Sequence, residues 1–251
     1  MHKTIEPSIL YFGTPVVLIS TRNEDGTTNV APMSSAWWLG WGCMIGLAGH
    51  SKTSENLLRE QECVLNLPSV AQAEAVNRLA KTTGSSPVPE SKLARGYWHV
   101  KDKLGIAGLT ALPSELVRAP RVAECPVQIE AVLQARHPFG GFEAQRPYGD
   151  DLEKTRVTAF ELKVVRVHVE ESLLLDGKTN HVNSDAWKPI IMSFAQFYGL
   201  ADGRVASSKL AEIPEELYRP AEHMGDSRQA RNAASAGASL TNQPAAPVQL
   251  I

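Results

Sequence analysis

VQIEAVLQ, residues 127–134, and FELKVVRVHV, residues 160–169, alternate apolar and polar side chains with a period of two. That period sends successive side chains to opposite faces, so each stretch predicts a long strand with one face on a core. Their flanks, RAPRVAECPVQIEAVLQARH (118–137) and TRVTAFELKVVRVHVEESLLL (155–175), keep the same Val- and Ile-rich character. Two such runs predict long antiparallel strands curving around a barrel. Between them HPFGGFEAQRPYGDDLEK (137–154) is rich in Gly, Pro and charge, and its length predicts a lid or a subunit contact.

Toward the N-terminus the pattern is strand, turn, strand. PVVLIST (15–21) is β-branched and apolar, NEDGT (23–27) carries the Asp25-Gly26 pair of a tight hairpin, and TTNVAP (27–32) begins the return strand. CMIGLAG (43–49) predicts a third strand. In HSKTSENLLREQECVLNLP (50–68) the period changes: Ser51 or Thr53 can cap a helix that turns Leu57 and Leu58 inward, and CVLNLP returns to strand. SVAQAEAVNRLAKTTG (69–84) predicts a second helix, capped by Ser69 and stopped by Gly84, before the proline-broken loop SSPVPESK (85–92). Strands without an alternating βα rhythm, and without a GxGxxG after a strand, predict a mainly β protein with a few helices: a closed antiparallel barrel, not a doubly wound sheet. From Gly225 on, the chain has no aromatic residue and much Ala, Ser, Asn and Gln, so the expected division is a domain over 1–224 and a flexible tail over 225–251.

Composition narrows the function. With 251 residues, 43% apolar and 21% charged, the chain suits one sizeable globular domain. A formal net charge of −2 with both signs dispersed offers no basic face, so neither nucleic acid nor a membrane surface is an expected partner. Cys43, Cys63 and Cys125 lie apart among apolar neighbours and read as small buried hydrophobes, in no metal or disulfide pattern. MHKTIEPSIL has no charged start followed by an apolar run, and no stretch approaches about 18 apolar residues. The expected compartment is the cytoplasm.

Two clusters could carry chemistry. In NVAPMSSAWWLGW (29–41), Pro32 interrupts a strand, Ser34 and Ser35 supply hydroxyls and amides, and three of the five tryptophans follow at Trp37, Trp38 and Trp41. A backbone that leaves the sheet at Pro32 would aim amides outward, toward a phosphate or the polar edge of a flat ring. The alternative is a bulged strand end beside a tryptophan-rich core. In SKTSEN (51–56), a helix start offers its amides and positive dipole end to an anion, with Ser51, Lys52, Thr53 and Ser54 as donors and Asn56 one turn on; the alternative is a plain cap with a solvated lysine. Other candidates are His168, on an alternating strand, and His181, in the polar stretch KTNHVN. SFAQFYGL (193–200) spaces Phe194, Phe197 and Tyr198 as on a packing helix. HExxH, GxSxG, and paired-cysteine and carboxylate clusters are all missing, so no metal is expected.

The run PVVLISTRNEDGTTNVAPMSSAWWLGWGCMIGLAGHSKTSENLLREQECVLNLPS resembles the N-terminal half of the flavin reductase-like, FMN-binding split-barrel family, with its DGxxNxAPxS segment and KxTxxN-like helix start. AECPVQIEAVL and LKVVRVHVEESLL resemble that family's later long strands, so the likeness spans roughly residues 10–215. It implies a split β-barrel with the isoalloxazine ring against Asn29, Ala31, Pro32, Met33, Ser34, Ser35 and Ala36. It also implies an FMN phosphate held by residues matching Ser34, Ser35, Ser51, Thr53 and Asn56, with Lys52 adding positive charge where an aspartate is frequent. A homodimer with flavin sites near the subunit interface is implied too. The activity implied is NAD(P)H-dependent flavin reduction, with hydride passing from NADH or NADPH to flavin N5 and a monooxygenase as a possible recipient of reduced flavin. A tightly FMN-bound oxidoreductase with another small-molecule acceptor, and a flavin carrier without turnover, stay open beside it. FYGLADGRV is a loose echo of the late HxxGxY motif of short flavin reductases, and Trp37, Trp38 and Trp41 are bulkier than the small residues expected there.

Overall fold

The computed structural model describes residues 2–139 and 157–218. Most of the Gly- and Pro-rich stretch between the two long strands, and the tail from Gly225, lie outside the described residues. The chain divides between Ser207 and Ser208 into two units. In the first, β1 (Phe12–Pro15), β2 (Val17–Arg22), β3 (Thr28–Met33), β4 (Ala36–Leu39) and β5 (Gly42–Ala48) lead into α1 (Lys52–Glu60) and β6 (Glu62–Leu67). Next come α2 (Ala73–Leu79), β7 (Thr82–Thr83), α3 (Glu90–Leu93), β8 (Trp98–His99), α4 (Lys103–Ala107), β9 (Ala111–Leu112) and β10 (Arg121–Val122). The long β11 (Val127–Phe139) and β12 (Val157–Val169) follow, then β13 (Ile191–Ser193) and β14 (Gln196–Tyr198). The described part of the second unit holds two short 3-10 turns, Lys209–Glu212 and Glu215–Tyr218; Ser208 caps the first by accepting from the Leu210 amide.

The principal sheet has seven strands in the order β3-β2-β6-β11-β12-β5-β4, with every neighbouring pair antiparallel. Its two edges, β3 and β4, are consecutive in the chain and joined by Ser34 and Ser35 alone. In a flat sheet the edges would lie about 29 Å apart at ~4.8 Å per strand. The three Cα steps from Met33 to Ala36 reach about 11 Å. The sheet must therefore curl until its edges approach, which makes it a barrel split at the β3/β4 seam. Irregularities in the β11–β12 register at Glu130/Ala131 and Leu133/Ala135 supply local bending.

Inside the barrel Val17 and Ile19 of β2 meet Ile45 and Leu47 of β5, Cys63 and Leu65 of β6, and Phe160, Leu162 and Val164 of β12, with Leu57 of α1 plugging one end. The other face of β2, Leu18 with the adjoining Val16, packs with Val30 under Val76 and Leu79 of α2 and Ala107 of α4. Cover on both faces explains why VVLI (16–19) is an unbroken apolar run while β12 alternates. All three cysteines are free and buried, and burial pushes the Cys43 and Cys125 thiols up to about 12.

Several local expectations change. Pro32 does not lead the chain out of the sheet: it pairs with Leu18 inside β3, tolerated because β3 is an edge whose outer row needs no ladder donor. The tryptophan segment is itself a strand, Trp37 opposite Met44 and Trp38 opposite Cys43. The second helix ends at Leu79, and the reversal falls on Lys81 at φ 57°, three residues before Gly84. Phe194, Phe197 and Tyr198 belong to the β13–β14 hairpin, not a helix; Phe194 and Ala195 take positive φ at its turn, and Phe194 meets Phe12 edge-on at 4.7 Å.

Candidate functional site

The β2–β3 hairpin, the start of α1 and the segment after β7 meet around one cleft of about 450 Å³. Asn23, Asp25 and Thr27 of the hairpin, Asn29 of β3, Lys52 of α1, Gly84 and Ser86, His99 of β8 and Lys101 just after it line the cleft. That volume lies within the range of small-molecule and cofactor sites.

The hairpin is fixed by its own turn chemistry. Gly26 takes φ +82°, Asn23 N–H donates to Thr27 C=O at 2.8 Å, and Asp25 Oδ1 accepts from the Thr27 hydroxyl at 2.6 Å and its amide at 3.0 Å. The Thr27 hydroxyl, then its amide, hold the Asp25 carboxyl below the usual carboxylate range. Behind the hairpin a buried amide–hydroxyl network ties it to α1. Asn29 Nδ2 donates to Thr21 Oγ1 at 3.2 Å and to Thr53 Oγ1 at 3.1 Å. Asn56 Nδ2 donates to Thr21 Oγ1 at 3.1 Å and to Asn23 Oδ1 at 2.8 Å, while Arg59 donates to Asn56 Oδ1 at 3.1 Å. Networks satisfied in this way rigidify what they join.

At the head of α1, Ser51 Oγ accepts from the Ser54 amide at 3.2 Å and lies 2.9 Å from the Ser54 hydroxyl, which in turn bonds Ala48 C=O at 2.8 Å. Lys52 Nζ pairs with Glu55 at 2.6 Å and its stem borders the cleft. Gly84 is the point of closest approach. A Cβ there would stand 2.7 Å from Asn29 Oδ1 and 3.0 Å from Lys52 Cγ, so only a glycine lets the segment lie against both. His99 Nδ1 lies 3.2 Å from Ser85 C=O, holding the opposite wall to the same segment.

Of the residues named from sequence, Asn29 and Lys52 line this cleft together, and Thr53 lies directly behind Asn29. Ala31, Pro32 and Met33 continue along β3, half-buried. Ser34 and Ser35 form the seam crossing; Ser35 donates to Gly46 C=O at 2.7 Å and Ala36 is buried in the barrel core. Ser51 is the helix cap, and Asn56 is enclosed in the network. His168 and His181 lie away from the cleft's lining. His168 Nε2 meets the fully buried Glu130 at 2.7 Å, and His181 lends its backbone carbonyl to the Leu175 amide. Gly84, Ser86, His99 and Lys101 escape the sequence reading, because two-residue strands pairing in parallel have no periodic signal. Among the described residues no His/Cys/Asp/Glu group could hold a metal, and no helix is long and apolar enough to cross a membrane.

The lining combines the amide and hydroxyl groups of Asn23, Thr27, Asn29 and Ser86, the Lys52 and Lys101 side chains, the Glu24 and Asp25 carboxylates and a glycine without a Cβ, a donor set that suits the polar edge of a flat ring and an anionic group. Comparison with known proteins gives the class. Residues 9–184 match the flavin reductase like domain, and the chain belongs to that family. The uncharacterized protein YdfE of Bacillus subtilis (strain 168) is 39% identical over 199 residues, covering 79% of this chain and 89% of its own. Among solved structures, flavoredoxin of Desulfovibrio vulgaris (Miyazaki F) superposes with a TM-score of 0.64 at 20% identity, over 84% of this chain and all of its own. Nitrilotriacetate monooxygenase component B from Bacillus cereus gives 0.59 at 23% identity, over 79% and 89%. These two likenesses establish the shared split-barrel fold.

Proposed function

We propose that the protein is an FMN-binding, NAD(P)H-dependent flavin reductase, acting as a cytoplasmic homodimer. The observation that carries this is the meeting of Asn29 and Lys52, from the two donor segments of a family member, with Gly84 on one cleft. FMN, when bound, supplies two-electron chemistry at its N5 position, with NADH or NADPH as the source of the hydride. The chain's part is placement. The Asn29 amide, braced by Thr21 and Thr53, presents a fixed edge to the ring; Lys52 and Lys101 supply charge for a phosphate; the Asn23–Thr27 turn and His99 bound the cleft on two sides. Orientation of donor and acceptor is enough for hydride transfer.

The flavin-binding domain is taken as residues 1–224, which contain every site residue. The dimer reading draws on an exposed apolar patch where β1 packs beside β4: Phe12 is 71% exposed, Trp37 56% and Leu39 79%. A monooxygenase, as in the name of the Bacillus cereus neighbour, is the proposed recipient of reduced flavin. Anaerobic addition of NADH and of NADPH to the FMN-loaded protein tests the activity. Loss of the blue flavin band with one nucleotide is the expected result and names the donor. A band that persists with both would leave a flavin carrier or an enzyme with another donor.

A further inference from the structure

Side-chain donors on the α1 side of the cleft are largely engaged within the protein. The Lys52 ammonium is paired with Glu55 at 2.6 Å. Asn29 commits its amide hydrogens to Thr21 and Thr53, and Asn56 commits its own to Thr21 and Asn23. Ser54 donates its hydroxyl proton to Ala48 C=O, so the Ser51 hydroxyl is the donor in their 2.9 Å contact. Of α1 and its cap, Lys52 alone is among the residues lining the cleft.

The opposite wall is different. Ser86 and Lys101 both line the cleft and both are exposed. Among the described residues the Ser86 hydroxyl and the Lys101 ammonium have neither a hydrogen-bond nor an ion-pair partner. Of the two lysines in the lining, Lys101 is therefore the one whose charge is not already matched by a paired carboxylate. The segments that carry these two residues are tied to each other: His99 Nδ1 lies 3.2 Å from Ser85 C=O, and the Val100 amide donates to Thr83 C=O at 2.9 Å. Those bonds fall within two residues of Ser86 on one strand and of Lys101 on the other, so the pair stands on a braced support.

We infer that a phosphate-class group of the cleft's ligand is seated chiefly on Lys101 and Ser86, ahead of the start of α1. A free ammonium and a free hydroxyl turn to a tetrahedral oxyanion without first breaking a protein contact, whereas Lys52 must give up Glu55. Glu24 and Asp25 place carboxylates on the hairpin side of the cleft, and like charge disfavours an anion there. The inference rests on the proposed flavin reading only for the molecule that brings the phosphate. Two sources share the chemistry: the flavin's own phosphate and a phosphate of the nicotinamide donor.

The test is thermal unfolding of the full-length protein against inorganic phosphate, with chloride at equal ionic strength as reference. The expected result is a saturable rise in Tm whose apparent affinity for phosphate falls about tenfold in Lys101→Met and returns in Lys101→Arg. Ser86→Ala should weaken it less, and Lys52→Met should keep most of it. Lys101 and Ser86 are exposed, so these changes leave the core untouched, and Lys178→Met, on an exposed turn, should respond like the wild type. No saturable response in the wild type, equal responses in wild type and Lys101→Met, or a larger loss in Lys52→Met than in Lys101→Met would overturn the inference. Competition then identifies the source: FMN against riboflavin reports the flavin phosphate, and NADPH against NADH reports the donor's extra phosphate. Flavin uptake is read separately by visible absorbance, so a protein that takes phosphate and no flavin keeps this seat and loses the flavin reading.

Discussion

Glu130 shows how much one side chain can hold. It is fully buried on β11, accepts from the amides of Glu115 at 2.9 Å, Leu116 at 2.6 Å and Val117 at 3.2 Å, and meets His168 at 2.7 Å. Burial opposes its ionisation, but those amides and His168 outweigh it and hold the carboxyl below its ordinary value of 4.5. A lowered folded pKa gives stability that is complete above the unfolded pKa and lost as pH falls through the folded one. Stability of the wild type should therefore decline below the usual carboxylate range. Glu130→Gln turns an acceptor into a donor facing backbone N–H groups; it should cost about 3 kcal/mol near neutral pH and flatten that acid limb. Urea unfolding across pH measures both. None of this was legible from VQIEAVLQ, where a glutamate in an alternating strand reads as solvent-facing. Asn29 and Lys52 fall within the two donor segments that the sequence marks out, and both line the cleft. Gly84 was misread as a helix stop, since its role is set by a side chain more than fifty positions away.

Helix α1 ties the barrel to the cleft. Ser51 caps it, Leu57 enters the barrel, and Thr53 and Asn56 join the network behind the hairpin, so the helix serves packing on one face and the cleft on another. Ser51→Ala removes the acceptor for the Ser54 amide and the partner of its hydroxyl, and is expected to cost about 1 kcal/mol in chemical denaturation. The long strands, the Asp-Gly hairpin and this helix could be read from period and turn chemistry. What escaped were elements whose signal is not local. β4 is a strand because β5 is available to pair with it, not because AWWL alternates. The β13–β14 hairpin turns on Phe194 and Ala195, neither a residue that advertises positive φ.

The seven-stranded sheet closes because Ser34 and Ser35 join its two edges, and closure leaves β4 beside the seam with Trp37 and Leu39 facing outward. Exposed aromatic and aliphatic side chains on an edge invite either aggregation or a defined partner. The proposed partner is a second copy. Sedimentation should give the mass of two chains, and Leu39→Asp should shift it toward one; a single-chain mass for the wild type would remove the dimer from the account. The claim on which everything else turns is that the cleft between the hairpin, α1 and Gly84 takes flavin. Fluorescence titration of FMN into the purified full-length protein, wild type and Gly84→Ala, tests it most directly. Saturable quenching by the wild type, weakened about tenfold (roughly 1.4 kcal/mol) in Gly84→Ala with folding intact, is the predicted result. No saturable quenching, or equal affinity in the two proteins, would contradict it.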